Sequence, residues 1–161
     1  MEKEVSYGPI ELICNPQMYA WGKIGENSLV GRLKANTDAD FALDGDKPYA
    51  EYWMGTHQNN SSLVAGCNVL LGEWLKKNPS VVGTVPDGYP ADDIPFLFKV
   101  LSIGKTLSIQ VHPDRELARE LHANRPDIYK DPNHKPEMSI ALTKFEAMCG
   151  LRDTDEIETF V

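Results

Sequence analysis

The sequence predicts a mainly β domain with a few short helices. Most of its pattern consists of short apolar or alternating runs of strand length, separated by residues that favour turns. Its 161 residues suit one domain. A composition of 42% hydrophobic and 25% charged residues is typical of a globular protein and argues against disorder.

The first half of the chain contains two predicted strands, one helix and a loop. Residues 10–14 form an apolar run that ends at a turn signal, Asn-Pro, and residues 51–54 form a second short run. Residues 72–77 have the pattern of a short helix that stops before the next Asn-Pro pair. Residues 83–95 contain three prolines and predict a surface loop.

The second half begins with a predicted β-hairpin. Residues 96–103 and 106–112 are strand-like, and Gly104-Lys105 between them is expected to form a two-residue turn. Asp114 is expected to cap a helix that places Leu117 and Leu121 on one face.

Two further strands and a helix start complete the prediction. Residues 137–143 alternate between apolar and polar side chains, and residues 145–151 are also strand-like. Asp153-Thr154-Asp155 is typical of a helix start.

Charge and composition exclude several classes of function. A net charge of −8 without a basic stripe disfavours binding to nucleic acid through its phosphates. No apolar run reaches the roughly 20 residues needed to span a bilayer, and the first residues do not resemble a signal peptide, so a cytoplasmic location is predicted. Cys14, Cys67 and Cys149 are far apart, and we expect reduced core thiols rather than disulfides or a zinc knuckle.

The strand-like run 106–112 presents a polar face. Strand alternation would place Thr106, Ser108, Gln110 and His112 on one side, with an amide oxygen and an imidazole two residues apart. These two groups are close enough to share one metal ion. A strand with one solvated face is the alternative interpretation.

Glu137 strengthens the metal-binding hypothesis. It follows His134-Lys135-Pro136 and opens a predicted strand. A carboxylate, an imidazole and an amide oxygen are plausible zinc ligands, and one negative charge among them would leave zinc a Lewis acid. A solvated carboxylate at the start of a strand is the alternative.

Two lysines are candidate functional residues. Lys99 lies in an alternating strand among apolar residues, so its amine either meets an anion or extends to solvent. Lys135 beside His134 is suited to general acid–base chemistry, although a loop lysine is often simply solvated. Trp21 is expected in the core or as the wall of a pocket.

Four sequence blocks, in this order, together resemble the type I phosphomannose isomerases. The last block is the signature of that family, and the four cover nearly the whole chain. The blocks are residues 19–22 (Tyr-Ala-Trp-Gly), 51–57 (Glu-Tyr-Trp-Met-Gly-Thr-His), 107–114 (Leu-Ser-Ile-Gln-Val-His-Pro-Asp) and 129–137 (Tyr-Lys-Asp-Pro-Asn-His-Lys-Pro-Glu).

The resemblance implies a cupin-type (jelly-roll) β-barrel and a zinc-dependent isomerase. One zinc ion per chain would be held by Gln110, His112 and Glu137, with a fourth ligand, a histidine, expected beyond residue 161. The implied reaction interconverts mannose 6-phosphate and fructose 6-phosphate through a cis-enediol, and it feeds both central metabolism and GDP-mannose synthesis.

The resemblance also assigns roles around the sugar phosphate. His134, Lys135 and Lys99 become candidates for proton transfer or electrostatic support. Ser108 is expected to bind the phosphate, and Trp21 to contact the substrate.

Family members are much longer than this chain, so the resemblance implies an incomplete barrel. Residues 1–152 are expected to be the N-terminal part of a cupin-type catalytic domain, and residues 153–161 the truncated start of a helical insertion. The chain alone is therefore predicted to be inactive unless the remainder of the enzyme is supplied as a separate chain. A non-catalytic cupin module that binds a sugar phosphate and a purely structural β domain are the alternatives.

Overall fold

The computed structural model describes residues 8–85, 88–147 and 153–159, and it is mainly β with short helices, as predicted. The strands in these ranges are short and are β1 (Leu12–Ile13), β2 (Pro16–Gln17), β3 (Lys23–Ile24), β4 (Pro48–Tyr49), β5 (Glu51–Met54), β6 (Leu63–Val64), β7 (Val69–Leu70) and β8 (Phe98–Leu101). The α-helices are α1 (Leu29–Thr37), α2 (Leu71–Lys77), α3 (Arg115–Asn124) and α4 (Thr154–Glu158). Two 3₁₀ turns occupy Gly25–Asn27 and Pro79–Val81.

The chain divides into two compact units, residues 1–108 and residues 109–161. The first unit contains all eight described strands, which pair antiparallel in three small sheets. Their orders are β1-β6-β7, β2-β5-β8 and β3-β4. These sheets do not close into a barrel within the part of the chain that the structure describes.

Helix α1 supports the sheet β2-β5-β8 and was not predicted from the sequence. The Ser28 hydroxyl accepts a hydrogen bond from the Gly31 backbone N–H at 3.2 Å, which caps the helix. Val30 is fully buried and packs in a core with Tyr49 and Tyr52. The helix therefore covers one face of this sheet and leaves the other face for different side chains.

A second core lies beside helix α2. Leu71 and Leu75, four residues apart on one helix face, pack against Val64 of β6. The predicted helix at residues 72–77 is confirmed and begins one residue earlier, and the predicted strands at residues 10–14, 51–54 and 96–103 correspond to β1, β5 and β8. The described residues of the predicted loop at 83–95 contain no helix or strand.

Gly22 allows two backbone segments to approach closely. A methyl group at this position would lie 2.8 Å from the backbone N and Cα atoms of Ala50, which is closer than any ordinary contact. Hydrogen bonds hold both segments in place: Gly22 N–H donates to Tyr19 O, and Ala50 N–H donates to Gln17 O. Only a residue without a side chain fits between them.

The predicted hairpin at residues 96–112 is wrong in its second strand. Residues 106–112 have no regular secondary structure. The backbone N–H groups of Gly104 and Lys105 both donate to the Trp21 carbonyl, and Ile103 forms an isolated bridge with Gly22. The chain after β8 therefore pairs with a distant segment, so Gly104-Lys105 does not close a turn between two strands.

The second unit contains helices α3 and α4. Asp114 Oδ1 accepts a hydrogen bond from the Leu117 N–H at 2.9 Å, as the predicted cap requires, and α4 begins directly after Asp153 as predicted. Residues 137–143 do not form the predicted strand, because no partner strand lies beside them among the described residues. The strand predicted at residues 145–151 is absent from 145–147, and residues 148–151 lie outside the described part.

Apolar side chains in these two irregular segments face solvent. Ile109 and Val111 are 91% and 93% exposed. Met138, Ile140 and Leu142 are 74–88% exposed, with the same spacing of two. The alternation that predicted strands is therefore present in the sequence, but the partner surface that would bury these side chains is not supplied by the described residues.

The described cysteines are unpaired thiols. Cys14 is buried, as expected for a core residue, whereas Cys67 is exposed, so the expected core position is wrong there. Cys149 lies outside the described residues. None of the described helices combines the length and the apolar character that crossing a membrane requires.

Candidate functional site

The face of the sheet β2-β5-β8 that is opposite to the α1 core carries polar groups. In the β5–β8 register, Trp53 pairs with Lys99, and Glu51 lies two residues before Trp53 on the same face. Tyr52, between them, points to the core, where it packs with Val100. Strand alternation thus collects a carboxylate, an indole and an ammonium group on one surface.

Lys99 meets an anion, which confirms one of the two interpretations of its position. Its Nζ atom lies 3.2 Å from Oε2 of Glu51, and the two side chains are 31% and 10% exposed. The indole N–H of Trp53 donates a hydrogen bond to the same carboxylate oxygen. Glu51 was not identified as a functional candidate, because the contact depends on the register of β5 against β8 rather than on local spacing.

Two aromatic side chains, Trp53 and Tyr19, interact with this carboxylate. Burial, and secondarily the negative charge of Glu51, raise the pKa of Tyr19 above its ordinary value. Tyr19 stacks on Trp21, with ring centroids 5.9 Å apart, and Trp53 meets the edge of His57 at 4.9 Å. Trp21 is partly buried.

The second unit brings together two of the three predicted zinc ligands. His112 Nε2 lies 3.8 Å from Oε1 of Glu137, although 25 positions separate them in the sequence. Gln110 is exposed, and because residues 106–112 do not form a strand, strand alternation no longer places it on the same side as His112. Within the described ranges, no three His, Cys, Asp or Glu side chains form a group that could hold a metal ion.

The His112–Glu137 pair fits zinc by its chemistry and spacing. Zinc binds imidazole nitrogen and carboxylate oxygen at about 2.0–2.2 Å, so two ligand atoms of a tetrahedral site are about 3.4 Å apart. The observed 3.8 Å separation is close to that value. The two side chains are 30% and 63% exposed, so an ion has access to them from solvent.

The remaining predicted residues lie in irregular segments. His134 is partly buried and Lys135 is exposed, and neither has a hydrogen bond or ion pair with another described residue. Ser108 is exposed at the end of the first unit. The structure thus pairs Lys99 with Glu51 and His112 with Glu137. Within the described residues of the second unit, no hydrogen bond or ion pair joins His134 or Lys135 to the His112–Glu137 pair.

Known proteins resemble this chain over most of its length. The sequence model of the phosphomannose isomerase type I catalytic domain matches residues 10–154. Mannose-6-phosphate isomerase from Mus musculus is 46% identical over 153 residues, which are 93% of this chain and 36% of the relative. The enzyme of the same name from Cryptococcus neoformans is 53% identical over 133 residues, covering 80% of this chain and 30% of the relative.

The solved structures that resemble this chain are also phosphomannose isomerases. A mutant of phosphomannose isomerase from Salmonella typhimurium has a TM-score of 0.61 at 34% identity, covering 78% of this chain and 32% of that chain. Mannose 6-phosphate isomerase bound with zinc and yttrium has a TM-score of 0.57 at 32% identity, with coverages of 78% and 33%.

These similarities confirm the predicted fold class, a mainly β, cupin-type fold that does not close into a barrel in the described residues. The chain spans about a third of the length of the relatives it matches. Because the family match covers nearly the whole of it, the chain belongs to the type I phosphomannose isomerases.

Proposed function

We propose that this chain is the N-terminal part of a zinc-dependent isomerase that interconverts mannose 6-phosphate and fructose 6-phosphate through a cis-enediol. Residues 1–152 belong to the catalytic domain, and residues 153–161 begin a helical insertion. The observation that carries the proposal is the approach of His112 Nε2 to Glu137 Oε1, at 3.8 Å, in a chain of this family.

Gln110, His112 and Glu137 hold one zinc ion in this proposal, and a fourth ligand comes from beyond residue 161. Two of these ligands are neutral and one is negative, so the site keeps a net positive charge. When bound, zinc supplies a Lewis acid that polarises an oxygen of the sugar.

The reaction moves a proton between C2 and C1 of the sugar. In the aldose-to-ketose direction, a base takes the C2 proton while the carbonyl oxygen O1 gains a proton, and the resulting enediol then accepts a proton at C1 as the O2 hydroxyl loses its proton. His134 and Lys135 are adjacent groups whose side chains donate and accept protons near neutral pH when their environment is suitable. Lys99 supplies positive charge for developing negative charge on oxygen.

Two further residues bind the substrate in this proposal. Ser108 donates a hydrogen bond to the phosphate, and Trp21, stacked on Tyr19, forms an apolar wall against the sugar ring. The partners are therefore a small sugar phosphate and the rest of the enzyme, supplied as a separate chain or in continuation of this one. The reaction links central metabolism to GDP-mannose synthesis, and the cytoplasmic location stays a prediction.

Zinc binding is tested on the purified chain by calorimetry and metal analysis. We expect one zinc per chain, with affinity reduced at least about tenfold by Glu137→Gln, because a ligand is lost. Glu146→Gln is the matched control, since Glu146 is an exposed carboxylate of the same unit that pairs with Lys144. Equal zinc affinity in the two variants contradicts the proposed ligand set.

Turnover is tested in a hybrid that joins this chain to the remaining two thirds of the mouse enzyme. We expect isomerisation of mannose 6-phosphate by the hybrid and none by the 161-residue chain alone. In the hybrid, Lys135→Met is expected to lower kcat at least about 100-fold with zinc retained, as for loss of a general acid–base group. Lys130→Met is the control, because Lys130 is an exposed lysine in the same loop.

Each result decides between hypotheses. Appreciable turnover by the isolated chain contradicts its proposed inactivity. A hybrid that binds the sugar phosphate without turnover supports a non-catalytic binding module, and a chain that purifies and titrates without zinc supports a structural domain. Unchanged kcat in Lys135→Met removes that residue from the proton-transfer mechanism.

A further inference from the structure

We propose that Glu51 is a positioning residue that holds the ammonium group of Lys99 in place for the sugar phosphate, with Trp53 fixing the carboxylate. This inference rests on the proposed function, because it assigns Lys99 a part in turnover. It concerns a residue outside the predicted set of ligands and proton-transfer groups. Its basis is the contact geometry on the polar face of β5 and β8.

One carboxylate oxygen connects the three side chains. Oε2 of Glu51 accepts the indole N–H of Trp53 and lies 3.2 Å from Nζ of Lys99. Trp53 and Lys99 are directly opposed in the β5–β8 register, and Glu51 reaches Lys99 diagonally across the two strands. Because all three residues lie on paired strands, the backbone fixes the origin of each side chain.

Glu51 is more deeply buried than Lys99. The Glu51 side chain is 10% exposed, whereas the Lys99 side chain is 31% exposed. A nearly buried carboxylate requires partners, and here it has a neutral donor and a cation. The ammonium group is the more exposed partner of the pair. The carboxylate therefore anchors the contact, and the ammonium group is accessible to a ligand from solvent.

Stability alone gives little reason for this arrangement. Replacing a buried ion pair with apolar side chains of similar volume is often neutral or stabilising. Leu97 and Leu101, two positions before and after Lys99, are apolar, so an apolar residue at position 99 would suit the strand. The Glu51–Lys99 ion pair is therefore better explained by a functional role of the ammonium group than by a contribution to packing.

A held lysine has a definite chemical advantage. A free lysine side chain has many rotamers, and ordering it during the reaction costs conformational entropy. The contact with Glu51 restricts it beforehand and occupies one of its three N–H donors, which leaves two for oxygen atoms of a substrate. Lys99 has no other ion pair or hydrogen bond among the described residues. An anionic or oxygen-rich ligand such as a sugar phosphate fits these donors.

The kinetic test is a double-mutant cycle in the hybrid enzyme. We expect Lys99→Met and Glu51→Gln each to lower kcat about 10- to 100-fold, with KM for mannose 6-phosphate changed less than about threefold. If Glu51 acts through Lys99, the double variant is no slower than Lys99→Met alone. Glu51→Asp, which keeps the charge, is expected to recover part of the loss, and Glu11→Gln is the control for removing a negative charge.

A second measurement does not depend on activity. In the 161-residue chain, NMR relaxation of the Lys99 ε-methylene is expected to show an ordered side chain, and Glu51→Gln or Trp53→Phe is expected to mobilise it. Equal mobility in wild type and Glu51→Gln overturns the proposed contact. Multiplicative losses of kcat in the double variant overturn the positioning role.

These outcomes separate this inference from the proposed function. A hybrid that loses turnover in Lys135→Met but not in Lys99→Met refutes the inference and leaves the isomerase proposal standing. A hybrid without any turnover counts against the proposed function and against a role for Lys99 in it, while the relaxation data still show whether Glu51 orders the side chain.

Discussion

The Gly22→Ala substitution is a direct test of the packing that positions Tyr19 and Trp21. The added methyl group would lie 2.8 Å from the Ala50 backbone, whereas ordinary contacts begin at 3.4 Å. The backbone at Gly22 and the backbone at Ala50 must therefore separate by at least about 0.6 Å. Such a movement strains the hydrogen bond from Ala50 N–H to Gln17 O, which is 2.8 Å long.

The expected cost follows from overpacking. Inserting a methyl group into a well-packed site typically costs about 1–3 kcal/mol, and the two fixed backbone segments place Gly22→Ala near 2 kcal/mol. In a chain of this length, that loss lowers Tm by about 4–8 °C. Urea and thermal unfolding, followed by circular dichroism, measure both quantities.

Gly45→Ala is the matched control. A methyl group at Gly45 would meet no atom within 4 Å, so we expect a change in unfolding free energy of less than about 0.5 kcal/mol. If Gly22→Ala is as stable as the Gly45 variant, the close approach of the two segments is wrong, and so is the placement of the Trp21 stack.

Three further predictions concern capping and pH. Ser28→Ala should destabilise the chain by about 2 kcal/mol in urea unfolding, because the fully buried hydroxyl caps α1 and donates to Tyr49 O; wild-type stability would exclude both roles. Asp114→Ala should cost about 1 kcal/mol and speed amide hydrogen exchange in the first turn of α3, and unchanged exchange would argue against the cap. A hydrogen bond from Lys34 holds the pKa of Asp38 below its ordinary value of 3.8, so its stabilisation is present above that value and is lost as the pH falls below it. Urea unfolding between pH 2 and 6 should therefore show a smaller loss of stability in Asp38→Asn than in wild type, and identical profiles would contradict this assignment.

Local patterns in the sequence predicted the elements that short-range forces determine. The run at residues 51–54 matches β5, and Asp114 caps α3, because side-chain alternation and capping depend on neighbours in the sequence. Helix α1 also carries such signals, with Ser28 at its cap and buried Val30 and Lys34 four positions apart. The cap residue is visible in the sequence, whereas the burial of Lys34 depends on its hydrogen bond to the distant Cys14 carbonyl.

Pairing between distant segments was not predictable in the same way. Strand-like residues 106–112 form no strand pairing in the described part of the chain, where the backbone after β8 bonds to Trp21. For the same reason, the sequence left open whether Lys99 meets an anion or extends to solvent, and it did not identify Glu51 as that anion. The register of one strand against another depends on the whole sheet, and a single sequence does not reveal it.

The zinc hypothesis combines both kinds of information. Residue chemistry selected Gln110, His112 and Glu137, and the structure brings the imidazole and the carboxylate within 3.8 Å of each other. The position of Gln110 was derived from a strand that does not form, so its part in the ligand set now rests on the family resemblance. Zinc titration of a Gln110 variant, alongside Glu137→Gln, therefore tests whether Gln110 belongs to the ligand set.

The outward-facing Ile109, Val111, Met138, Ile140 and Leu142 have a practical consequence for handling the protein. Exposed apolar side chains bind other molecules, including further copies of the same polypeptide, hydrophobic dyes and chaperones. Preparations should therefore fluoresce with ANS and self-associate as they are concentrated, and swapping Ile109 or Val111 for threonine should improve their solubility.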